Sequence, residues 1–197
     1  MRTLFAFAPV LVLCACSDAP PAAKAPEKPP EPLTGQQAFY KTFPQAHTWA
    51  VDVQPIRVRS IDLKELPADG GKAGAWECTY ASESKGRSRI YTWSAIEAEG
   101  VHQGVFGSQE ESWQPGGSDK PFPIQAFKID TPEALKTAIA HSATYFNNLG
   151  TKPHPKFELD FTDRYPQPVW RVYWGDSVST AAWSVFIDSV SGDYKGR

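Results

Sequence analysis

The chain has 197 residues, of which 41% are hydrophobic and 13% aromatic, and its formal net charge is −2. This composition is typical of a globular protein with enough residues for one sizeable core or two small domains. The nearly balanced charge leaves no strongly basic field, so we expect no nucleic-acid partner.

The N-terminal segment is apolar and predicts a signal peptide. Residues 1–16, MRTLFAFAPVLVLCAC, place one arginine before an apolar run shorter than the about 20 residues needed to span a bilayer. The run ends in Leu13-Cys14-Ala15-Cys16, which resembles the bacterial lipobox and implies that Cys16 is lipidated. An ordinary secretory signal with two incidental cysteines is the alternative.

The residues that follow predict where the protein is held. Lipoproteins retained at the inner membrane usually carry Asp where this chain has Ser17, so the resemblance implies the outer membrane, on the periplasmic side. Loss of the leader removes Arg2 and no acid, which changes the net charge from −2 to −3 (19 basic against 22 acidic residues). Residues 17–33 contain six prolines and predict an extended tether of roughly 50 Å.

The first half of the folded part predicts a helix followed by antiparallel strands. Thr34 and Gln37 fit a capping box, and the helix is expected to break or restart at Pro44. Strand patterns cover residues 56–66, 75–82, 89–100 and 101–113. Residues 114–123 predict a loop, and the apolar pattern of residues 124–130 predicts a further strand.

The second half begins with a long amphipathic helix. Thr131 is expected to be its cap, Pro132 its first residue and Gly150 its stop, so the helix would cover residues 131–149. Its apolar stripe is formed by Leu135, Ala138, Ile139, Phe146 and Leu149, with the small Ser142 in the one gap. Three strands are expected at residues 156–164, 168–176 and 180–189.

The two halves contain the same elements in the same order, which predicts an internal duplication. Trp76 corresponds to Trp170 at an offset of 94, and Gly100 corresponds to Gly192 at an offset of 92. A turn that is two residues shorter in the second copy accounts for the difference. The order and the register together favour a duplication over coincidence.

These observations predict one α+β domain over residues 34–197. It would consist of two helix-plus-antiparallel-meander repeats, at about 34–113 and 124–197, related by a pseudo-twofold axis. Each sheet has one apolar face, which its own helix would cover. The two sheets could join edge to edge or pack face to face.

The second copy resembles a PepSY-type repeat over roughly residues 131–197. The resemblance rests on Trp170, Val185, Ile187, Asp188, Gly192 and Asp193. The first copy departs from this pattern, because Ile96 stands where Asp188 would fall and Val101 stands where Asp193 would fall. PepSY-like domains occur in protease propeptides and envelope proteins, so the resemblance implies protein binding or inhibition without catalysis.

The sequence contains no signal for a metal, a cofactor or a catalytic motif. The four histidines, His47, His102, His141 and His154, share no metal-ligand spacing. Cys78 lies within a strand pattern and is expected to be a buried, inert thiol. Five carboxylates, Asp160, Asp163, Asp176, Asp188 and Asp193, could serve acid–base chemistry or bind a cation, but their positions at strand ends favour turns.

Six residues make up the candidate binding surface: Trp113, Tyr173, Trp174, Lys85, Arg87 and Arg89. Strict alternation places Trp174 on the face of Trp170 and Tyr173 on the opposite face, so one of these aromatic side chains would be available to a sugar, peptide or protein. The three basic residues lie at a predicted hairpin tip, where they would meet an anionic partner or be solvated. A second layer covering the aromatic residues is the alternative.

Together these patterns predict a lipid-anchored outer-membrane protein that acts as a non-catalytic binding or accessory module of the cell envelope. Its partners would be the membrane, through the lipid anchor, and an envelope protein or peptide. A PepSY-like regulator or inhibitor of an envelope protease is the first alternative. An envelope hydrolase with a site assembled only in space is the second, because the absence of a sequence motif does not exclude such a site.

Overall fold

A computed structural model of the chain describes residues 30–147, 149–151 and 153–197. The predicted signal peptide, the lipidation site at Cys16 and all but the last residues of the tether lie outside this part. The described residues form an α+β fold, as the sequence predicts, with antiparallel sheets and few helices.

The helices are α1 (Gly35–Trp49), α2 (Thr131–Ala140) and α3 (Ala143–Phe146), and a 3₁₀ helix covers Ile124–Ala126. The strands are β1 (Leu33–Thr34), β2 (Gln54–Ile61), β3 (Lys72–Ala73), β4 (Ala75–Ser82), β5 (Arg87–Ser94), β6 (Gly104–Ser112), β7 (Lys156–Asp160), β8 (Val169–Trp174), β9 (Trp183–Asp188) and β10 (Tyr194–Gly196).

Eight of these strands form one antiparallel sheet in the order β10-β9-β8-β7-β2-β4-β5-β6. The meander of β2, β4, β5 and β6 is therefore joined edge to edge with the meander of β7 to β10. The join is the antiparallel pair β2–β7, in which Val58 lies opposite Leu159. Strands β1 and β3 form a separate two-stranded sheet.

The core lies between the sheet and the helices, and aromatic rings connect its two halves. Phe157 of β7 contacts both Trp76 of β4 and Trp170 of β8, with ring centroids 6.1 and 6.5 Å apart. Phe39 of α1 contacts Tyr80 of β4 at 5.7 Å. All five side chains are buried, so the two meanders share one hydrophobic core beneath the helices.

Helix α1 begins as predicted but does not break at its proline. The Thr34 hydroxyl accepts a hydrogen bond from the Gln37 backbone, and the Gln37 side chain accepts one from the Thr34 backbone, which completes the capping box. The helix then continues through Pro44 to Trp49. Pro44 lacks an N–H for the carbonyl of Tyr40, but both residues are exposed, so water can reach that carbonyl.

The second predicted helix is shorter than expected, and its cap is Asp130 rather than Thr131. The Asp130 side chain accepts a hydrogen bond from the Thr131 backbone at 2.7 Å. Helix α2 ends at Ala140, before the buried Ser142, whose hydroxyl donates to the Ala138 carbonyl at 2.6 Å. A serine that bonds in this way competes with the regular helix, and α3 starts only after it.

Three further expectations are corrected. Residues 124–130 form a 3₁₀ turn and a connection instead of a strand, because the backbone N–H groups of Lys128 and Ile129 both donate to the Ser189 carbonyl. The strand expected at residues 56–66 starts earlier and is shorter, because it covers Gln54–Ile61. Ile139, assigned to the apolar stripe of the helix, is 47% exposed.

Candidate functional site

The large sheet has one face that carries no helix, which we call the open face. Four charged residues form a row across its centre, on neighbouring strands and in register: Glu77 of β4, Arg59 of β2, Glu158 of β7 and Arg171 of β8. Their charges alternate in sign. Opposite charges in directly facing positions stabilise an antiparallel sheet, so this row is compatible with a solvated face.

The arginines of this row make their direct hydrogen bonds away from its centre. Arg59 pairs with Glu77 at 2.9 Å. Arg171 donates to the Ser184 hydroxyl at 3.2 Å and to the Val178 carbonyl at 2.8 Å. Among the described residues, the carboxylate of Glu158 therefore has charged neighbours but no direct hydrogen bond or ion pair.

A polar cavity of about 460 Å³ lies over this part of the open face. Its lining includes Arg59, Asp62, Lys156, Glu158, Tyr173 and the loop of residues 176–179. Lys156 lies directly opposite Tyr173 in the sheet and forms an ion pair with Asp62 at 3.2 Å. Tyr173 is only 5% exposed, yet its hydroxyl makes no hydrogen bond within the described part of the chain.

The electrostatics of the cavity reflect partial burial of its acidic groups. Burial raises the pKa of Glu158, and the negative charge of Asp160, two positions along β7, raises it further. Burial also raises the pKa of Asp160. The pKa of Tyr173 is raised by burial and by the neighbouring Glu158. The cavity thus holds acceptor groups that water solvates incompletely and that protein donors do not satisfy.

A second cavity, of about 430 Å³, lies beside the start of β2 and differs in chemistry. It is lined by Val53, Gln54, Pro55, Pro121, Phe122, Pro123, Ile124 and Gln125. This lining contains no charged side chain. Of these two cavities, the one on the open face is the stronger candidate, because it combines titratable groups of shifted pKa with polar atoms that lack partners.

The structure contradicts part of the predicted binding surface. Trp113 is 8% exposed, because it packs on Ile56 and Ala81 beneath the loop that follows β6, and its indole N–H donates to the Asp119 carbonyl. Trp174 is 1% exposed, in the core below α3. Neither provides an exposed aromatic surface. Of the three predicted aromatic residues, Tyr173 lines the cavity on the open face, on the side that strict alternation predicts, whereas Trp113 lines a smaller cavity of about 140 Å³ next to Asp52 and Pro121.

The basic residues lie at the β4–β5 turn and on β5, away from the cavity. Lys85 lies over the ring of Trp49 at 5.9 Å from its centroid. Arg87 donates to the Ser112 hydroxyl, and Arg89 donates to the Ser108 carbonyl and lies over the ring of Tyr91. Each side chain has a neighbour within the protein. The three do not converge with Tyr173.

The Asp188 region is a turn, as its position at a strand end predicts. The Asp188 carboxylate accepts hydrogen bonds from the backbones of Val190 and Ser191 at 2.8 and 3.1 Å, and it pairs with Lys195. Gly192 follows with a φ of 78°, a conformation that favours glycine. Asp160 also lies at a strand end, because it is the last residue of β7, and the register places it on the open face.

Among the described residues, no three or more His, Cys, Asp or Glu side chains are arranged to hold a metal ion. No helix in that part of the chain has the length and apolar character needed to cross a bilayer.

Comparison with known proteins gives a distant likeness in fold. No protein-family model and no curated protein sequence match the chain. A crystal structure at 1.85 Å resolution of a "putative lipoprotein (CD1622)" from Clostridium difficile 630 is 8% identical, with a TM-score of 0.49, over 80% of this chain and 90% of that chain. Similarity at this level assigns neither a family nor a function, and the PepSY resemblance and the duplication stay predictions.

Proposed function

We propose that the protein is a lipid-anchored module of the cell envelope that binds a protein or peptide partner through the open face and catalyses no reaction. The observation that carries the proposal is the polar cavity over β7 and β8, in which the half-buried carboxylate of Glu158 and the hydroxyl of Tyr173 have no hydrogen-bond partner among the described residues. Polar groups in such positions acquire their hydrogen bonds from water or from a ligand.

The anchoring half of the proposal rests on the sequence. Leu13-Cys14-Ala15-Cys16 and the proline-rich residues that follow support attachment to the outer membrane on its periplasmic side. Metabolic labelling with a palmitate analogue tests this point. The label is expected in the wild-type chain and in Cys14→Ser and not in Cys16→Ser. Label retained in Cys16→Ser would reject this anchor.

The non-catalytic role is part of the proposal and is consistent with the serines of the cavity. Ser177 and Ser179 bond to one another rather than to a base, so neither forms a nucleophile–base pair within the described part of the chain. A narrower version follows from the PepSY resemblance, in which the partner is an envelope protease that the chain inhibits. Unchanged protease activity across a titration with the full chain would reject the narrower version and leave the general one intact.

Site-specific photo-crosslinking in cells tests the binding surface. A photoreactive amino acid at Thr92, which lies opposite Glu77 on the open face, is expected to capture a partner, whereas the same group at Tyr40, which is 59% exposed on α1, is not. The proposal is overturned if capture occurs from Tyr40 alone, or from neither position.

A further inference from the structure

Some charged side chains around the cavity have a partner of opposite charge and others do not. This difference indicates which kind of ligand group the cavity binds. The three cations of the lining, Arg57, Arg59 and Lys156, already have carboxylate partners, in Asp119 at 2.8 Å, Glu77 at 2.9 Å and Asp62 at 3.2 Å. Lys156 also donates to the Asp176 carbonyl. Glu158 is the carboxylate at the centre that has no direct partner among the described residues. The Nε of Arg57 also lacks a hydrogen bond in this part of the chain, but the guanidinium charge is paired with Asp119, so the unpaired charge at the centre of the cavity is negative and suits a positive ligand group.

The Tyr173 hydroxyl is a second, independent indication. Tyr173 lies on β8 diagonally across from Glu158, on the same face of the sheet. Tyr173 is 5% exposed and lines the cavity, and its hydroxyl lacks a hydrogen-bond partner within the described residues. A phenol oxygen accepts hydrogen bonds as readily as it donates them. A carboxylate and a hydroxyl side by side are suitable acceptors for one N–H-rich cation.

Resting on the proposed binding function, we infer that Glu158 and Tyr173 together receive a lysine or arginine side chain from a protein partner docked on the open face. The partner's ammonium or guanidinium group donates one charge-assisted hydrogen bond to the Glu158 carboxylate and one to the Tyr173 hydroxyl.

The flanking arginines do not block this arrangement. Arg59 is neutralised by Glu77, and Arg171 directs its guanidinium to Ser184 and Val178, towards β9 and the loop after β8. The two arginines lie beside Glu158 along the sheet, because they occupy the neighbouring strands in register with it. A partner's side chain would approach along the remaining direction, from above the sheet, where the cavity is.

Short capped pentapeptides test the inference on the full chain in detergent micelles. Four peptides that differ only at the central residue carry Lys, Arg, norleucine or Glu there. Binding is followed by NMR through the carboxyl carbon of Glu158 and the ring of Tyr173. The Lys or Arg peptide is expected to give a saturable shift of both signals, and the norleucine and Glu peptides are not. Equal binding of norleucine, or preference for Glu, would overturn the inference.

Two variants and a matched control locate the effect. Glu158→Gln keeps the shape of the side chain and removes its charge, and should weaken binding of the basic peptide by about tenfold or more. Tyr173→Phe removes only the hydroxyl and should weaken binding severalfold. Glu111→Gln, at an exposed carboxylate on β6, should change nothing. Circular dichroism melting of each variant verifies that it is folded.

The outcomes separate this inference from the proposed function. One outcome is that the photoreactive amino acid at position 92 captures a partner equally well in the wild-type chain and in the Glu158→Gln variant. In that case the open face binds a partner, but Glu158 and Tyr173 do not receive its cation. If no partner is captured from the open face in any variant, the proposed function fails first. Loss of capture in Glu158→Gln, with capture retained in Glu111→Gln, supports both.

Discussion

The indole nitrogens of Trp76 and Trp170 make equivalent hydrogen bonds in the two halves of the molecule. Trp76 donates to the carbonyl of Leu33 at 2.9 Å, and Trp170 donates to the carbonyl of Ile129 at 2.8 Å. Each acceptor is the residue directly before a helix cap, and the two sequence separations are 43 and 41 residues. In each half, one tryptophan therefore attaches the start of the helix to the second strand of the meander.

Truncation of either indole should be strongly destabilising. Both side chains are fully buried, so Trp76→Ala and Trp170→Ala should each lower the free energy of unfolding by about 3–5 kcal/mol. Urea unfolding followed by circular dichroism measures the loss. Phe106→Ala is the control, because Phe106 is 51% exposed and should change stability by less than about 1 kcal/mol. Unchanged unfolding of either tryptophan variant would show that the assigned core face is wrong.

Ser142→Ala should destabilise the junction of α2 and α3. The Ser142 hydroxyl accepts a hydrogen bond from the Trp183 indole at 3.0 Å, and its loss leaves that N–H without a partner. We expect a cost of about 1–3 kcal/mol in the free energy of unfolding. Trp183→Phe completes a double-mutant cycle, and a coupling energy near zero would contradict the assigned bond.

Asp52 should remain ionised in strongly acidic solution. The Ser82 hydroxyl and the backbone N–H of Ser84 donate to its carboxylate and lower its pKa from 3.8 to about 2. Its contribution to stability is present above the unfolded-state pKa of 3.8 and is lost as the pH falls towards 2. NMR titration of the carboxyl carbon gives the midpoint. Ser82→Ala should raise it towards 3.8, whereas Ser177→Ala should leave it unchanged.

Glu158 should have the opposite pH dependence. Burial raises its pKa in the folded state, so its charge opposes folding above the folded-state pKa, and this penalty disappears when the group is protonated. At pH 8, Glu158→Gln should therefore unfold at a higher urea concentration than the wild type. The difference should vanish below pH 4. A variant that is less stable at pH 8 would mean that Arg59 and Arg171 outweigh the burial.

Cys78 should resist alkylation in the native protein. It is fully buried, and burial raises the pKa of its thiol to about 12, so only about one thiol in 10⁴ is ionised at pH 8. Mass spectrometry of the peptide that contains Cys78, after treatment with iodoacetamide, measures the modification. Ser84→Cys, at an exposed turn position, is the reactive control. Comparable labelling of both cysteines would contradict the assigned burial.

The local signals in the sequence predict much of this fold. The capping box of α1, the strand at residues 75–82 and the burial of Cys78 are found as expected, because each depends on residues close together in the chain. The end of α2 was missed. The hydroxyl of Ser142 bonds to Trp183, 41 positions away, and no helical periodicity contains that information.

The candidate site was predicted only in part. Alternation places Tyr173 opposite Trp174, and the same rule applied to residues 156–160 would have placed Glu158 and Asp160 together on one face. What the sequence does not contain is the pairing of β2 with β7, which brings Arg59 beside Glu158. Trp113 was misassigned because a loop with little apolar character covers it.

The pairing of β2 with β7 is the strand pairing of the large sheet that joins the most distant parts of the described chain. Val58 and Leu159 are opposite each other but 101 positions apart, whereas partners within a meander, such as Cys78 and Tyr91, are separated by 13. Pairing two strands that are far apart in the sequence costs more chain entropy if the local hairpins between them have not yet formed. We therefore expect the centre of the sheet, where the charged row lies, to assemble late in folding.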